Sequence, residues 1–174
     1  DVWTPTPLPV RKKHSYTVRH GAGYTSWEHN SHGIGQKLTC FVPGDVPCKL
    51  LLLQLGNSSG LERSLTLTWY VRPVLGVSDE TSHPYIVSEY DADLLYFRNP
   101  YNGDFPNQIG FIGASMPPDS YTGDRSEFIG HGGNMDRPLG LTLAGLSKRT
   151  GAALDPCAAV QIAVQLAPSE QKEL

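Results

Sequence analysis

The chain has 174 residues, with 14 Lys and Arg against 17 Asp and Glu, a formal net charge of −3. That length suits one domain or part of a larger protein, and a chain of this size hides about 70% of its unfolded surface on folding. Arg11-Lys12-Lys13 is the one basic triplet and reads as a solvated turn, so neither nucleic acid nor an anionic membrane surface is an expected partner.

Cys40, Cys48 and Cys157 form no CxxC pair and sit in or beside apolar runs. An odd count without a framework points to reduced thiols, and therefore to a cytoplasmic setting. The opening "DVWTPTPLPV" has no basic start or apolar core of a signal peptide. The most apolar run, Leu50–Leu55, is too short to cross a bilayer, so no direct membrane insertion is expected.

The 18 Gly and 14 Pro punctuate short alternating runs, the pattern of an all-β antiparallel sandwich. "HSYTVRH" alternates from His14 to His20, and "HGAG" is a turn in which Gly21 and Gly23 are free to take positive φ, leading into a strand from Tyr24. "LTCFV" and "CKLLLLQL" follow, joined by "PGDVP". "RSLTLTWYVRPVL" puts Leu65, Leu67, Trp69 and Val71 on a buried face, opposite Ser64, Thr66, Thr68, Tyr70 and Arg72. "PYIVSEYDADLLYFRN" reads as two strands bending near Asp91–Asp93, and "QIGFIGAS" as another. From Ser115 to Asp155 the periodicity dissolves, which predicts a long functional loop region with a short helix near Pro138–Ala144. In "DPCAAVQIAVQLAP", Asp155-Pro156 makes a turn and Cys157 packs inside. Val160, Ile162, Val164 and Leu166 then oppose Gln161, Ala163 and Gln165. Both ends read as cut, so the expectation is an excised piece whose unpaired edge strands favour self-association.

"HGAGYTSWEHNSHGI" concentrates His20, His29 and His32 near Glu28. No zinc spacing such as HExxH is present, and on a strand Trp27 and His29 share a face that Glu28 does not. A hairpin with strand-end histidines is the preferred reading, with no metal or other cofactor expected. A metal-dependent enzyme using these three histidines is the rival.

Seven motifs occur in order: "WTPTPLPVR", "YTVRHGAGYTSWEHNSHGI", "FVPGDVPCKLLLLQLGNSSG", "RSLTLTWYVRPVLG", "RNPYNGDF", "TGDRSEFIG" and "LSKRTGAALDPCAAVQIAVQLAP". Together they resemble the β-sandwich domain of the cellobiose and chitobiose phosphorylase family, most of all the phosphorylase-like region of cyclic β-1,2-glucan synthases. The resemblance implies a supersandwich, galactose-mutarotase-like fold over residues 1–174, an incomplete segment with long loops. It also implies that the catalytic (α/α)6 barrel, with the general-acid aspartate and phosphate site, follows in the parent protein. No catalytic residue is then expected here. Support of the barrel, dimerisation and contact with a β-glucan oligosaccharide are implied instead, in a parent that can be anchored in the inner membrane. Arg72-Pro73 departs from the Glu-Trp that relatives tend to carry, so no acidic or aromatic contact is carried over to it.

In "TGDRSEFIG", Asp124, Arg125 and Glu127 combine a rigid fork of donors with carboxylate acceptors, a set suited to paired sugar hydroxyls. An Arg–carboxylate pair that pins the loop is the preferred reading of the three, with sugar contact as its rival. Tyr121, Trp27, Tyr24 and Tyr101 offer faces on which a pyranose can stack, with core packing as the competing role for Trp27 and Tyr24, whereas Trp69 is assigned to the core. Asp124 with Glu127, or Asp91 with Asp93, could make a hydrolytic pair only if placed across a glycosidic bond. A free-standing carbohydrate-binding module is the alternative function.

Overall fold

A computed structural model describes all 174 residues, Asp1–Leu174. Strands hold 41% of them and helices 9%, so the chain is all-β, and its strands pair antiparallel. The strands are β1 (Thr17–Gly21), β2 (Tyr24–Ser31), β3 (Ile34–Phe41), β4 (Leu50–Asn57), β5 (Arg63–Val71), β6 (Val87–Asp91), β7 (Leu94–Arg98), β8 (Ile109–Ile112), β9 (Ser120–Asp124), β10 (Pro156–Leu166) and β11 (Gln171–Glu173). They form sheets of order β1-β2-β3-β4-β11, β5-β10-β9 and β6-β7-β8. Two one-turn helices, α1 (Asp79–Ser82) and α2 (Arg125–Ile129), complete the regular structure with 3-10 turns at His83–Tyr85 and Leu139–Leu141. No helix is long and apolar enough to cross a membrane.

The chain divides into two compact units, Asp1–Leu65 with Val164–Leu174, and Thr66–Ala163. In the first, β2, β3 and β4 are a meander in which Ser31, Ile34 and Asn57 share one cross-strand row and His29, Gln36 and Leu55 the next. These six side chains are buried. Asn57 ties the end of the meander down: its amide donates to the carbonyls of Leu61 (2.8 Å), Leu166 (3.1 Å) and Ala167 (2.9 Å), and its oxygen accepts from Ser59. The β2–β3 turn is His32-Gly33, both at positive φ (57° and 77°), the primed geometry that a two-residue hairpin needs.

In the second unit β10 is the centre. Ala158 and Val160 face a cluster with Ile86, Leu95 and Phe97 from the β6-β7-β8 side. Cys157 and Ala159, pointing the other way, pack with Phe128 and Ile129 of α2 and with Leu146. The expected polar face of this strand holds only at Ala163 and Gln165. Gln161 is buried, donating to Gly140 O (3.2 Å) and accepting from Ser120 Oγ (2.9 Å), because the turn at Leu139–Leu141 covers it.

Two other expectations change. Trp69 is 37% exposed rather than core, while Tyr70, from the face read as polar, stacks on Phe128 with ring centroids 5.1 Å apart. Helix α2 supplies that cover, and it lies in the stretch from which no periodicity could be read. That stretch also contains β9, whose "SYTGD" has one large apolar side chain and becomes a strand by pairing with β10. Gly21 belongs to β1 and only Gly23 takes positive φ. Gly21 is small for another reason: a Cβ there would lie 2.1 Å from the Tyr24 ring.

The β6–β7 turn provides a test. Ala92 and Asp93 both have positive φ (47° and 62°), a conformation that costs alanine about 1 kcal/mol. Ala92→Asn should raise stability by about 1 kcal/mol in urea unfolding. An unchanged or lower midpoint would refute the turn assignment.

Candidate functional site

The motif from Thr122 to Gly130 is the end of β9 running into α2. Asp124 caps the helix: its Oδ1 accepts from Ser126 N (3.0 Å) and Ser126 Oγ (2.6 Å), satisfying an N–H that a helix start leaves orphaned. Its Oδ2 pairs with Arg149 Nη1 at 3.0 Å, and the residue is buried. Glu127 accepts from Thr122 Oγ1 (2.6 Å), Ser147 Oγ (2.8 Å) and Ser147 N (2.7 Å). Both carboxylates are therefore held by the protein's own donors and pin the segment around Ser147–Arg149 to β9 and α2.

Arg125 belongs to a chain of charges. Its Nη1 meets Asp155 Oδ2 at 3.2 Å, while Asp155 Oδ1 meets Arg72 Nη1 at 3.0 Å. Arg72 Nε lies 2.8 and 2.7 Å from the two oxygens of Asp79. The Arg72 hydrogen bond holds the Asp79 carboxyl below its usual range, and the same bond raises Arg72. Burial pushes the Cys157 thiol beneath this network up to about 12, with Asp124 and Asp155 adding to the rise. Burial also raises Tyr70. Sequence reading passed over Arg72 and Asp155 as members of this network. They stand 83 residues apart, so no local spacing signals the contact.

Tyr121 stacks on Tyr90, centroids 3.9 Å apart, and packs against the Ile86–Phe97 cluster. Tyr121, Asp124, Arg125 and Glu127 thus stand together on β9 and α2. Trp27 and Tyr24 lie on β2 in the other unit: Tyr24 is exposed and Trp27 half-buried, in register with Val18 and Leu38. Asp93 accepts from Tyr90 Oη (3.1 Å) at the β6–β7 turn, and Asp91 ends β6.

The three histidines occupy three separate environments. His20 Nδ1 is 3.1 Å from Thr25 Oγ1. His29 is buried, donates from Nδ1 to the Ser15 carbonyl (3.2 Å) and stacks on Tyr16 at 4.0 Å. His32 pairs with the Asp1 carboxylate and stacks on Trp3 at 4.8 Å. The sequence cluster does not become a cluster in space, and no group of three His, Cys, Asp or Glu side chains is placed to hold a metal.

A shallow concavity of about 460 Å³ lies on the outer face of the five-stranded sheet. Gly35 and Gly56, paired in register, form its floor, and Asn30, Lys37, Gln54, Gln171 and Glu173 line it. No Trp, Tyr or Phe borders it, so it lacks a stacking surface for a sugar ring.

Two outcomes test this geometry. Because Asp79 is depressed in the fold, its pairing contributes stability above about pH 4 that is lost as pH falls through the folded value. In Arg72→Met, the loss of stability between about pH 5 and pH 3 should become shallower, read as urea midpoints across pH. A slope identical to the parent's would remove the ion pair from the account. With its thiol buried and pushed up, Cys157 should resist Ellman's reagent at pH 8 and react once urea unfolds the chain. Labelling of Cys157 in the native protein would contradict the packing.

A family described as glycosyl hydrolase 94, supersandwich domain, matches residues 1–174. The chain is 31% identical over 156 residues to the cyclic beta-(1,2)-glucan synthase NdvB of Rhizobium meliloti (strain 1021), covering 88% of this chain and 6% of that protein. It is 26% identical over 180 residues to the N,N'-diacetylchitobiose phosphorylase of Vibrio furnissii, 98% of this chain and 22% of that protein. The solabiose phosphorylase of Paenibacillus borealis is 26% identical over 178 residues, 98% of this chain and 23% of that one. The chain thus spans less than a quarter of the length of each. Whole-length agreement with the family, joined to the antiparallel sheets described above, identifies the chain as a supersandwich domain of glycosyl hydrolase family 94.

Proposed function

We propose that this domain is a non-catalytic part of a β-glucan-processing glycoside phosphorylase or cyclic β-1,2-glucan synthase. It scaffolds an (α/α)6 catalytic barrel supplied by the parent chain and contacts a β-glucan oligosaccharide. The observation that carries this reading is the engagement of the motif's carboxylates. Asp124 and Glu127 each accept hydrogen bonds from neighbouring protein groups, and Asp124 and Asp155 are also paired with arginines. A hydrolytic pair needs one carboxyl free to give a proton and another free to attack or to activate water. These carboxylates instead brace the segment that follows them. Among the candidates named from sequence, Tyr24 on the first unit is exposed and Arg125 on the second is partly exposed; each is a saccharide contact of its own unit in this reading, and Asp124 and Glu127 hold the helix start that carries Arg125.

The three cysteines are free, which fits a cytoplasmic, reducing setting. Strand β8 is a sheet edge with Ile109 and Phe111 exposed, and it is the surface through which the domain pairs with a second copy.

The purified protein, incubated with cellobiose or a β-1,2-linked disaccharide and inorganic phosphate, should release no glucose 1-phosphate by phosphorus NMR; turnover would overturn the non-catalytic assignment. In light scattering the protein should self-associate, and Phe111→Lys should shift it toward monomer. A monomer at millimolar concentration before any mutation would remove the pairing role.

A further inference from the structure

The second unit carries an exposed aromatic surface. Tyr85 and Tyr101 face each other with ring centroids 4.9 Å apart and planes inclined by 37°, yet they remain 46% and 76% exposed. Phe105, on the same loop as Tyr101, is also exposed. Apolar rings left in water contribute little to the fold, so their position is explained by what they meet.

The backbone beneath them is braced by side-chain hydrogen bonds. Asn99 is 5% exposed and donates from Nδ2 to the Leu75 carbonyl at 2.6 Å, while its Oδ1 accepts from Tyr101 N at 3.1 Å. Asn102 repeats the device, its Oδ1 accepting from Asp104 N and Phe105 N at 3.2 Å each. Each tyrosine directly follows a proline, Pro84 and Pro100, whose fixed φ removes freedom from the approach. The His83–Tyr85 turn is further held by His83 Nδ1 on Asp79 O at 3.0 Å. A loop restrained this way presents its rings without an ordering cost on binding.

Polar groups alternate with the rings. Asp104, Asn107 and Gln108 are exposed on the same loop. The ligand that fits alternating aromatic faces and hydroxyl partners has an apolar C–H face ringed by hydroxyls, which is a pyranose. We infer that the outer face of Tyr101, backed by the ring of Tyr85, forms a stacking platform for one sugar ring of a β-linked glucan, with Asp104 and its polar neighbours taking hydroxyls. A saccharide is favoured over a protein partner because exposed polar residues break up the loop's apolar surface, whereas a protein interface buries a continuous apolar core. The inference deepens the saccharide contact proposed above and moves its principal ring contact away from the β9–α2 motif.

The test uses the protein with cellotetraose and with a linear β-1,2-linked glucotetraose, followed by amide NMR. Shifts are expected at Tyr85 and at Asn99–Phe105, and Tyr101→Ala and Tyr85→Ala should each weaken binding at least tenfold. The Tyr101→Ala melting temperature should stay within a degree of the parent's, because so exposed a ring adds little to packing. Undiminished binding in both variants, or shifts confined to Thr122–Gly130, overturns the platform but leaves saccharide contact standing. No shift with either sugar overturns both. A change in association state without a change in sugar binding makes the dyad a protein contact and also overturns the platform.

Discussion

Burial of β10 on both of its faces is the constraint on which the second unit depends. From Pro156 to Ile162 the strand has no solvent side: Ala158 and Val160 go to the β6-β7-β8 cluster, and Cys157 and Ala159 to the cluster around α2. A strand enclosed in this way needs small side chains, because both layers approach to packing distance across one thickness of backbone. "CAA" supplies them, and a larger residue at Ala158 or Ala159 would have to displace a layer. The pairing of β9 with β10 follows from the same arrangement, and with it the position of the motif that β9 carries into α2.

The motif's charges make sense in that setting. Cys157 lies at the bottom, buried, and the charges above it are arranged as alternating partners: Asp79, Arg72, Asp155, Arg125. Such pairs, partly exposed, add modestly to stability in water. Their stronger effect is orientation, since Arg72 and Arg125 are held on the two oxygens of one carboxylate and so tie β5, α2 and the entry to β10 together. Asp124 and Glu127 do the same for the segment at Ser147–Arg149. An acid–Arg–acid motif that looks like chemistry in one dimension is, in three, largely a set of braces.

Sugar recognition needs two things that need not lie in one place: ring faces for stacking and polar groups for hydroxyls. The concavity on the five-stranded sheet has the second without the first. The loop carrying Tyr101 has both, on a backbone fixed by Asn99 and Asn102. Stacking rather than charge is therefore the term that distinguishes these surfaces.

The all-β class, the antiparallel pairing and the family were legible in the sequence, because alternation in runs such as "VQIAVQL" and glycine-bearing turns are local signals and seven ordered motifs are collective ones. The bend at Asp91–Asp93 and the inward Cys157 were legible for the same local reason. Tertiary structure decided the rest. It turned Tyr70 inward and left Trp69 partly in water, since the cover came from a helix that no periodicity announced. It made a strand of "SYTGD" by offering β10 as a partner. It also scattered three neighbouring histidines to three sites and joined Arg72 to Asp155 across 83 residues. A local pattern reports which face of a strand is apolar; what comes to lie against that face depends on contacts between residues far apart in the chain.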